Sequence, residues 1–380
     1  MSTVKTNAIL DASGGNTATI NSMTPTADSL QGFRNRIING DMRISQRNAG
    51  ASVTITNTGA NTYTLDRWAA YGSVASKFSV QQNAGSVTPP VGFTNYLGCT
   101  SLSAYTVGAA EIFTLQQQIE GFNFADLNFG SANAKTVTIS FWVRSSLTGS
   151  FAGFLNNSAQ NRTYPFSYTI SAANTWEQKS VTIAGDTTGT WIGGTNGIGA
   201  GVWFSLGCGS TFQGTANAWT ASTTYGVSGQ NQVVGTNGAT FYITGVQLEV
   251  GSVATPFERR DYGRELMLCQ RYYYKAAITN AGSFFGTGVA YSTTSANVFV
   301  PFPVPLRTRP TALLQSGTAG NYQVFRQGTN VTCSAVPTFD EGDTFAANVS
   351  FPVASGLTAG EAIMGRSVNT SAFLAWSVEL

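Results

Sequence analysis

The chain has 380 residues, enough for two or three domains that each bury a core. Only 10% are Asp, Glu, Lys or Arg, the formal net charge is +2, and 42 residues are Gly. That composition excludes a long-helix protein and a nucleic-acid footprint, and fits many short strands joined by turns. Histidine is absent, so a Ser-His-Asp triad, a His-bearing zinc site and a His general base are excluded.

Residues 1–34 read as an arm. "ILDASGGNTATINSMTPTADS" is polar and turn-rich and cannot bury a core by itself; docking on a partner would order it. It has no apolar core of the signal-peptide kind, and no apolar run approaches the ~18 residues of a membrane span.

Period-two patterns begin near residue 35. In "KTVTISFWVRSS", Val137, Ile139, Phe141 and Val143 share a face. In "GVWFSLGCG", Val202, Phe204, Leu206 and Cys208 do the same. In "IFTLQQQIEGF", Phe113, Leu115 and Ile119 alternate with Thr114, Gln116 and Gln118. In "FYITGVQLEV" the phase switches at Gly245, which predicts a β-bulge. Glu249, inside that strand, is expected to pair with an arginine. In "DRW", Trp68 is expected in the core and Asp66 beside Arg43 or Arg47. A glycan-gripping patch is the competing reading of that triplet.

Residues 260–274 have helical spacing. Tyr262, Leu266, Cys269 and Tyr273 fall on one stripe, and Asp261 is a plausible N-cap. A helix of ~13 residues is marginal alone, so this stripe needs a neighbour, either a domain face or copies of itself, and is the expected oligomer interface. Beyond it, Val298, Val300, Phe302 and Val304 alternate with Phe299 and prolines 301, 303 and 305, which suggests an edge strand or an extended seam. In "SAFLAWSVEL", Leu374, Trp376, Val378 and Leu380 share a face, so the C-terminus is expected inside a sheet. Cys99, Cys208, Cys269 and Cys333 lie far apart and read as free buried thiols. The expected fold is all-β, with two jelly-roll-like β-sandwich domains joined by a short α-helix. The divisions are an arm at 1–34, a jelly roll at 35–257, a helix at 258–275 and a second sandwich at 276–380.

Candidate chemistry is sparse. "FDEGD" holds Asp340, Glu341 and Asp343, which read as a hairpin turn, a weak calcium site or a glycosidase pair. Trp191 and Trp219 lie in Gly/Thr/Asn-rich stretches, as do Tyr322, Phe325 and Arg326. Sugar rings stack their C–H faces on such side chains, so these five are the candidate glycan-binding residues. Packing under long loops is the competing reading.

"NRIINGDMRISQRNAG" followed by "YTLDRW" resembles the opening of a domain common in bacteriophage tail-fibre and receptor-binding proteins. "VTISFWVRSS", "WEQKSVTIAG" and "FYITGVQLEVGSVATPFERR" resemble the strand order of carbohydrate-binding-module jelly rolls and their phage versions. "LCQRYYYK" and "FLAWSVEL" are similar to the join and tip of the same phage proteins. The resemblance implies a non-enzymatic virion component, assembled in the host cytoplasm. It would be a homotrimer that docks on tail or baseplate proteins through its arm and attaches to a host-surface glycan. It implies no cofactor, no nucleic-acid partner and no membrane insertion. Jelly rolls of this type often carry acidic residues before "VQLE"; Thr244 and Gly245 stand there, so no calcium ion is expected at that point. A head fibre or tail adaptor without a receptor is the structural alternative, and a capsule depolymerase the enzymatic one.

Overall fold

The computed structural model describes residues 33–277 and 279–380. The arm therefore lies almost wholly outside the described residues. The rest divides into two compact units. Unit 1 holds residues 33–43, 50–64 and 68–259, and unit 2 holds 44–49, 65–67 and 260–380. Two short segments inside the 35–257 stretch thus cluster with the C-terminal part of the chain.

In chain order the strands of unit 1 are β1 Val53–Thr54, β2 Thr62–Leu65, β3 Trp68–Gly72, β4 Phe78–Gln82, β5 Leu97–Ser101, β6 Ile112–Glu120 and β7 Val137–Ser145. They continue with β8 Gly149–Asn156, β9 Thr163–Ile170, β10 Glu177–Ile183, β11 Ile198–Cys208, β12 Gln213–Gly214, β13 Gly226–Val227 and β14 Thr240–Val250. One six-stranded sheet runs β1-β4-β5-β14-β7-β10 and the other β2-β3-β6-β11-β8-β9. The chain crosses repeatedly between the two sheets, carrying one or two strands at a time, which gives a jelly-roll-like sandwich. The period-two pattern sets the two faces. Val137, Ile139, Phe141 and Val143 are buried, as are Val202, Phe204, Leu206 and Cys208. Phe141 meets Phe204 across the sheets at 5.0 Å in an edge-to-face contact, and Phe204 meets Phe241 at 6.4 Å. Trp68 is fully buried against Phe204, and its indole N–H donates to the Asn39 carbonyl at 3.0 Å.

Gly245 has φ +61, and the β14/β7 register shifts between Thr244 and Gln247, as the phase change predicts. After that bulge, β14 takes a neighbour from residues 35–42. Val246 donates to Gly40, Arg36 donates to Leu248, and the Asn35 amide accepts from both Ile37 and Leu248. Gln117 of β6 exchanges two hydrogen bonds with the Ile38 backbone. The "NRIINGDM" segment therefore ties one sheet to the other. Glu249 differs from expectation. It accepts from the Thr255 amide and hydroxyl and from Gln247, so neutral donors rather than an arginine hold it.

In unit 2, helix α1 spans Tyr262–Gln270, and the Asp261 side chain caps it by accepting from the Arg264 amide at 2.9 Å. The strands are β15 Tyr273–Ala277, β16 Phe284–Ala290, β17 Ser295–Pro301, β18 Leu314–Gln315 and β19 Tyr322–Arg326. They continue with β20 Thr329–Thr332, β21 Thr338–Gly342, β22 Ala346–Pro352, β23 Ala362–Ser367 and β24 Phe373–Ser377. A three-stranded sheet runs β15-β24-β18 and a seven-stranded sheet β20-β19-β23-β16-β17-β22-β21. One core joins both sheets, from Leu374 and Trp376 of β24 to Val298, Val349 and Phe351. The C-terminal strand is thus central, as its alternation predicts.

Two expectations change here. The helix is shorter than 260–274, because Tyr273–Ala277 pairs with β24 in register. The aromatic run there suits a pleated surface, and the ladder satisfies its backbone. The predicted stripe therefore divides. Cys269 and Tyr273 are buried inside unit 2, Leu266 is half-buried and Tyr262 is 58% exposed. The buried face of α1 instead carries Glu265, paired with Arg260, and Cys269. Second, β17 is no edge strand. It pairs with β16 on one side and β22 on the other, and its prolines begin only at its last residue, Pro301.

Residues 44–49 and 65–67 bring charge into unit 2. Asp66 accepts from the Gln46 backbone and side-chain amides, both at 2.6 Å. Arg47 and Arg67 both pair with Glu379, while Arg43 pairs with Asp41 in unit 1. The guanidiniums of Arg47 and Arg67 stack 3.7 and 3.6 Å from the ring centres of Tyr273 and Tyr272. Burial pushes the Asp66 carboxyl up to about 6, against the lowering effect of the Gln46 amide and the Arg47 charge. The folded unit thus keeps a proton that an unfolded Asp releases near pH 4. The stabilisation this gives is fully present below about pH 4 and is lost as pH rises through 6. Asp66→Asn should remove that slope. Urea midpoints measured from pH 4 to 7 check it, and an unchanged slope would assign the effect elsewhere.

All four cysteines are free and buried. Burial pushes the Cys208 and Cys333 thiols up to about 12, and those of Cys99 and Cys269 up as well. None is activated for nucleophilic chemistry.

Candidate functional site

The outer face of the β2-β3-β6-β11-β8-β9 sheet carries a groove of about 330 Å³, with Asn61, Tyr71, Gln118, Gln160, Trp203 and Tyr225 among its lining. Strand alternation builds it. While Phe113 and Leu115 of β6 face the core, Ile112, Thr114, Gln116 and Gln118 face outward. Pairing sets Gln116 opposite Trp203, and Trp203 opposite Phe154. Thr114 sits opposite both Tyr71 and Ser205, and Gly201 sits between Gln118 and Asn156.

Trp203 lies flat on the sheet. It stacks on Phe154 at 5.2 Å and 19°, and Tyr225 closes against it at 6.2 Å. Its indole N–H donates to Asn156 Oδ1 at 2.9 Å. A Cβ on Gly201 would stand 2.4 Å from that indole nitrogen, so only glycine lets the ring lie there. Tyr225 comes from the loop after β12, and its hydroxyl donates to Gln160. The Gln116 amide donates to Asn61.

These bonds use one end of each amide and leave the other. Gln116 Oε1, Asn156 Nδ2 and Thr114 Oγ1 are buried beneath the groove and have no hydrogen-bond partner among the described residues. Leaving such groups unpaired costs about 1–3 kcal/mol each. The groove lining contains no charged side chain. It can therefore stack an apolar ring face and exchange neutral hydrogen bonds, but has no acid or base for bond cleavage.

The two candidate tryptophans of the loops do meet. Trp191 and Trp219 touch edge-to-face at 5.6 Å, although 28 positions separate them in sequence. They pack with Phe124, Phe129 and Tyr164. Trp219 donates to the Ala184 carbonyl at 2.7 Å and Trp191 to Asp186 at 3.2 Å. Burial alone would raise the Asp186 carboxyl. Its two bonds from Arg162, with those from Thr188 and Trp191, hold it below the usual carboxylate range. With both indole N–H groups engaged inside the protein, this cluster pins loops.

Tyr322 is also structural. It is fully buried, and its hydroxyl donates to Phe373 and accepts from Ser316. Phe325 and Arg326 border a cavity of about 620 Å³ on unit 2, with Phe299 and Met364, and Arg326 pairs with Glu361. Asp340 and Glu341 lie on β21 and only Asp343 enters the turn, where its amide donates to Ala346. All three are exposed, and among the described residues no three Asp, Glu or Cys side chains group as metal ligands.

The sequence did carry a signal for the groove. Trp203 sits in the polar phase of "GVWFSLGCG", and Gln116 and Gln118 in the polar phase of "TLQQQIE". A large aromatic on a polar face between small residues marks a packed feature on the outer side of the sheet, here 4% exposed.

The fold and site define a β-sandwich with an uncharged, aromatic-and-amide groove on one sheet. No family model matches the chain, and none of the curated proteins does. Among solved structures, the chain is similar to the enzymatically active domain of tailspike protein 4 of bacteriophage CBA120. The identity is 11% and the TM-score 0.29, over 58% of this chain and 22% of that one, so the chain spans about a fifth of its length. It is also similar to a family 11 carbohydrate-binding module of Clostridium thermocellum in complex with a mixed-linked tetrasaccharide, at 12% identity and TM-score 0.27, over 55% and 99% of the two chains. A third similarity is to a tandem of family 22 carbohydrate-binding modules from Paenibacillus barcinonensis, at 11% identity and TM-score 0.26, over 88% and 98%.

Proposed function

We propose that this protein is a non-enzymatic attachment protein of a bacteriophage tail, which binds a neutral glycan of the host surface in the groove of unit 1. The observation that carries the glycan reading is a groove lined by Tyr71, Trp203 and Tyr225 together with the amides of Asn61, Gln118 and Gln160. Aromatic faces and amides are the two things a sugar ring needs, one for its C–H face and one for its hydroxyls. The uncharged lining favours neutral over acidic sugars. The tail role rests on the resemblance of "NRIINGDMRISQRNAG", "YTLDRW" and "GVQLEVGSVATPFERR" to phage receptor-binding proteins. In this reading the chain is a homotrimer, its arm docks on tail or baseplate proteins, and linked weak sites raise avidity about 10²–10⁴-fold.

The test is a glycan array with purified protein, followed by calorimetry on the hits. A variant carrying Tyr71→Ala and Gln118→Ala should bind at least ~10-fold more weakly with an unchanged melting temperature. The protein should also compete with phage adsorption to host cells. Absence of binding to host polysaccharide, or retained affinity in the double variant, would remove the groove from the mechanism. New reducing ends on incubation with polysaccharide would overturn the non-enzymatic reading.

A further inference from the structure

The seven-stranded sheet of unit 2 has one face on the core and one face that no described residue covers. Strand pairing aligns a row of side chains across the open face: Phe325, Met364, Thr287, Phe299 and Asn348, on β19, β23, β16, β17 and β22. Phe299 is 56% exposed, and Val289, two positions from Thr287, is exposed as well. A bulge between Phe284 and Gly286 turns Phe284, 55% exposed, towards the same face. There its ring and that of Phe325 each lie 4.9 Å from the Arg366 guanidinium. An apolar row of this kind marks an interaction surface.

Opposite charges flank the Thr287–Phe299 centre of the row. Arg366, on β23, donates to the Gly282 carbonyl and to Asn330 and, among the described residues, meets no carboxylate. Asp340, on β21, accepts from Asn348 alone among the described residues, which places it on the same face as Phe299. Glu341 and Asp343 add charge beside it, and both are exposed. Four strand spacings separate β23 from β21, about 19 Å. The apolar centre of the face is therefore flanked by a cation on one side and anions on the other.

We infer that this face docks a second copy of the chain. A surface with opposite charges on either side of an apolar centre fits another copy of itself, turned so that Arg366 of each protomer meets Asp340 of the next, with the Phe299 rows buried between them. The inference concerns assembly and stands apart from what the unit 1 groove binds. It also replaces the helix stripe, half of which is consumed inside unit 2, as the apolar seam.

Sedimentation velocity on the full chain, across a concentration series, tests it. The parent should associate. Phe299→Asp, at an exposed position, should raise the dissociation constant at least ~10-fold. Asp340→Arg should weaken association several-fold, and adding Arg366→Glu to it should restore most of the loss. A parent that stays monomeric throughout, or a Phe299→Asp chain that associates like the parent, overturns the inference. So does a Phe299→Asp chain that keeps its association but loses glycan binding, because the face would then hold a sugar. A monomer that still binds glycan through the groove overturns this face alone and leaves the groove reading in place.

Discussion

Glu379→Ala should destabilise unit 2 by about 3–5 kcal/mol, read from urea or guanidinium unfolding, without disturbing the sandwich core of unit 1. The Glu379 side chain is 5% exposed and is the shared carboxylate of Arg47 and Arg67. Arg67 is 1% exposed and stacks on Tyr272, so it has little water to fall back on. Removing one member of a buried ion pair strands the other charge, and that desolvation dominates the cost. Here two guanidiniums lose the same partner. Glu379→Gln keeps the shape and two hydrogen-bonding groups and should lose less. A loss below about 1 kcal/mol for the alanine variant would mean that water or another acceptor replaces the carboxylate. Nothing local in "SVEL" distinguishes this residue from a frayed end.

Trp203→Ala should reduce glycan affinity by ~30-fold or more, the loss expected when a central aromatic anchor of about 2 kcal/mol is removed. The ring, only 4% exposed at the groove, packs on Phe154 and against Tyr225, and its N–H holds the Asn156 side chain. The substitution also opens a cavity over Phe154 and should cost stability by about 3–5 kcal/mol. Trp203→Phe separates the two effects. It retains a ring on Phe154 but frees Asn156 Oδ1, so it should stay folded and still bind several-fold more weakly. Full affinity in Trp203→Phe with full loss in Trp203→Ala would assign the role to stacking alone. Full affinity in both would move the sugar away from this face.

Much of the fold is legible in short windows. The alternations in 137–143 and 202–208 name the residues that fill the unit 1 core. Gly245 marks a true bulge, Asp261 a true cap, and the final segment a largely buried strand at Phe373–Ser377. Each is a local matter: the pleat has period two, a bulge needs a backbone that tolerates positive φ, and a cap needs a short side-chain acceptor three residues before an open amide. The candidate site is less legible. Trp191 and Trp219 were recognisable as loop aromatics, yet their indole N–H groups are spent on Ala184 and Asp186. Tyr322 read like Phe325, yet one is core and the other surface, because strand phase within β19 assigns them to opposite faces.

The amino-acid sequence by itself determined an all-β chain with one capped helix, its strand phases, its inert thiols and the absence of histidine chemistry. Only the tertiary structure decided which strands became neighbours. That choice put Gln116, Trp203 and Asn156 side by side, drew Arg47 and Arg67 to Glu379, cut the helix at Gln270 and left Phe299 uncovered. The reason is physical. Side-chain alternation follows from the geometry of single residues, whereas pairing weighs loop-closure entropy and burial over the whole chain, and no short stretch carries that balance.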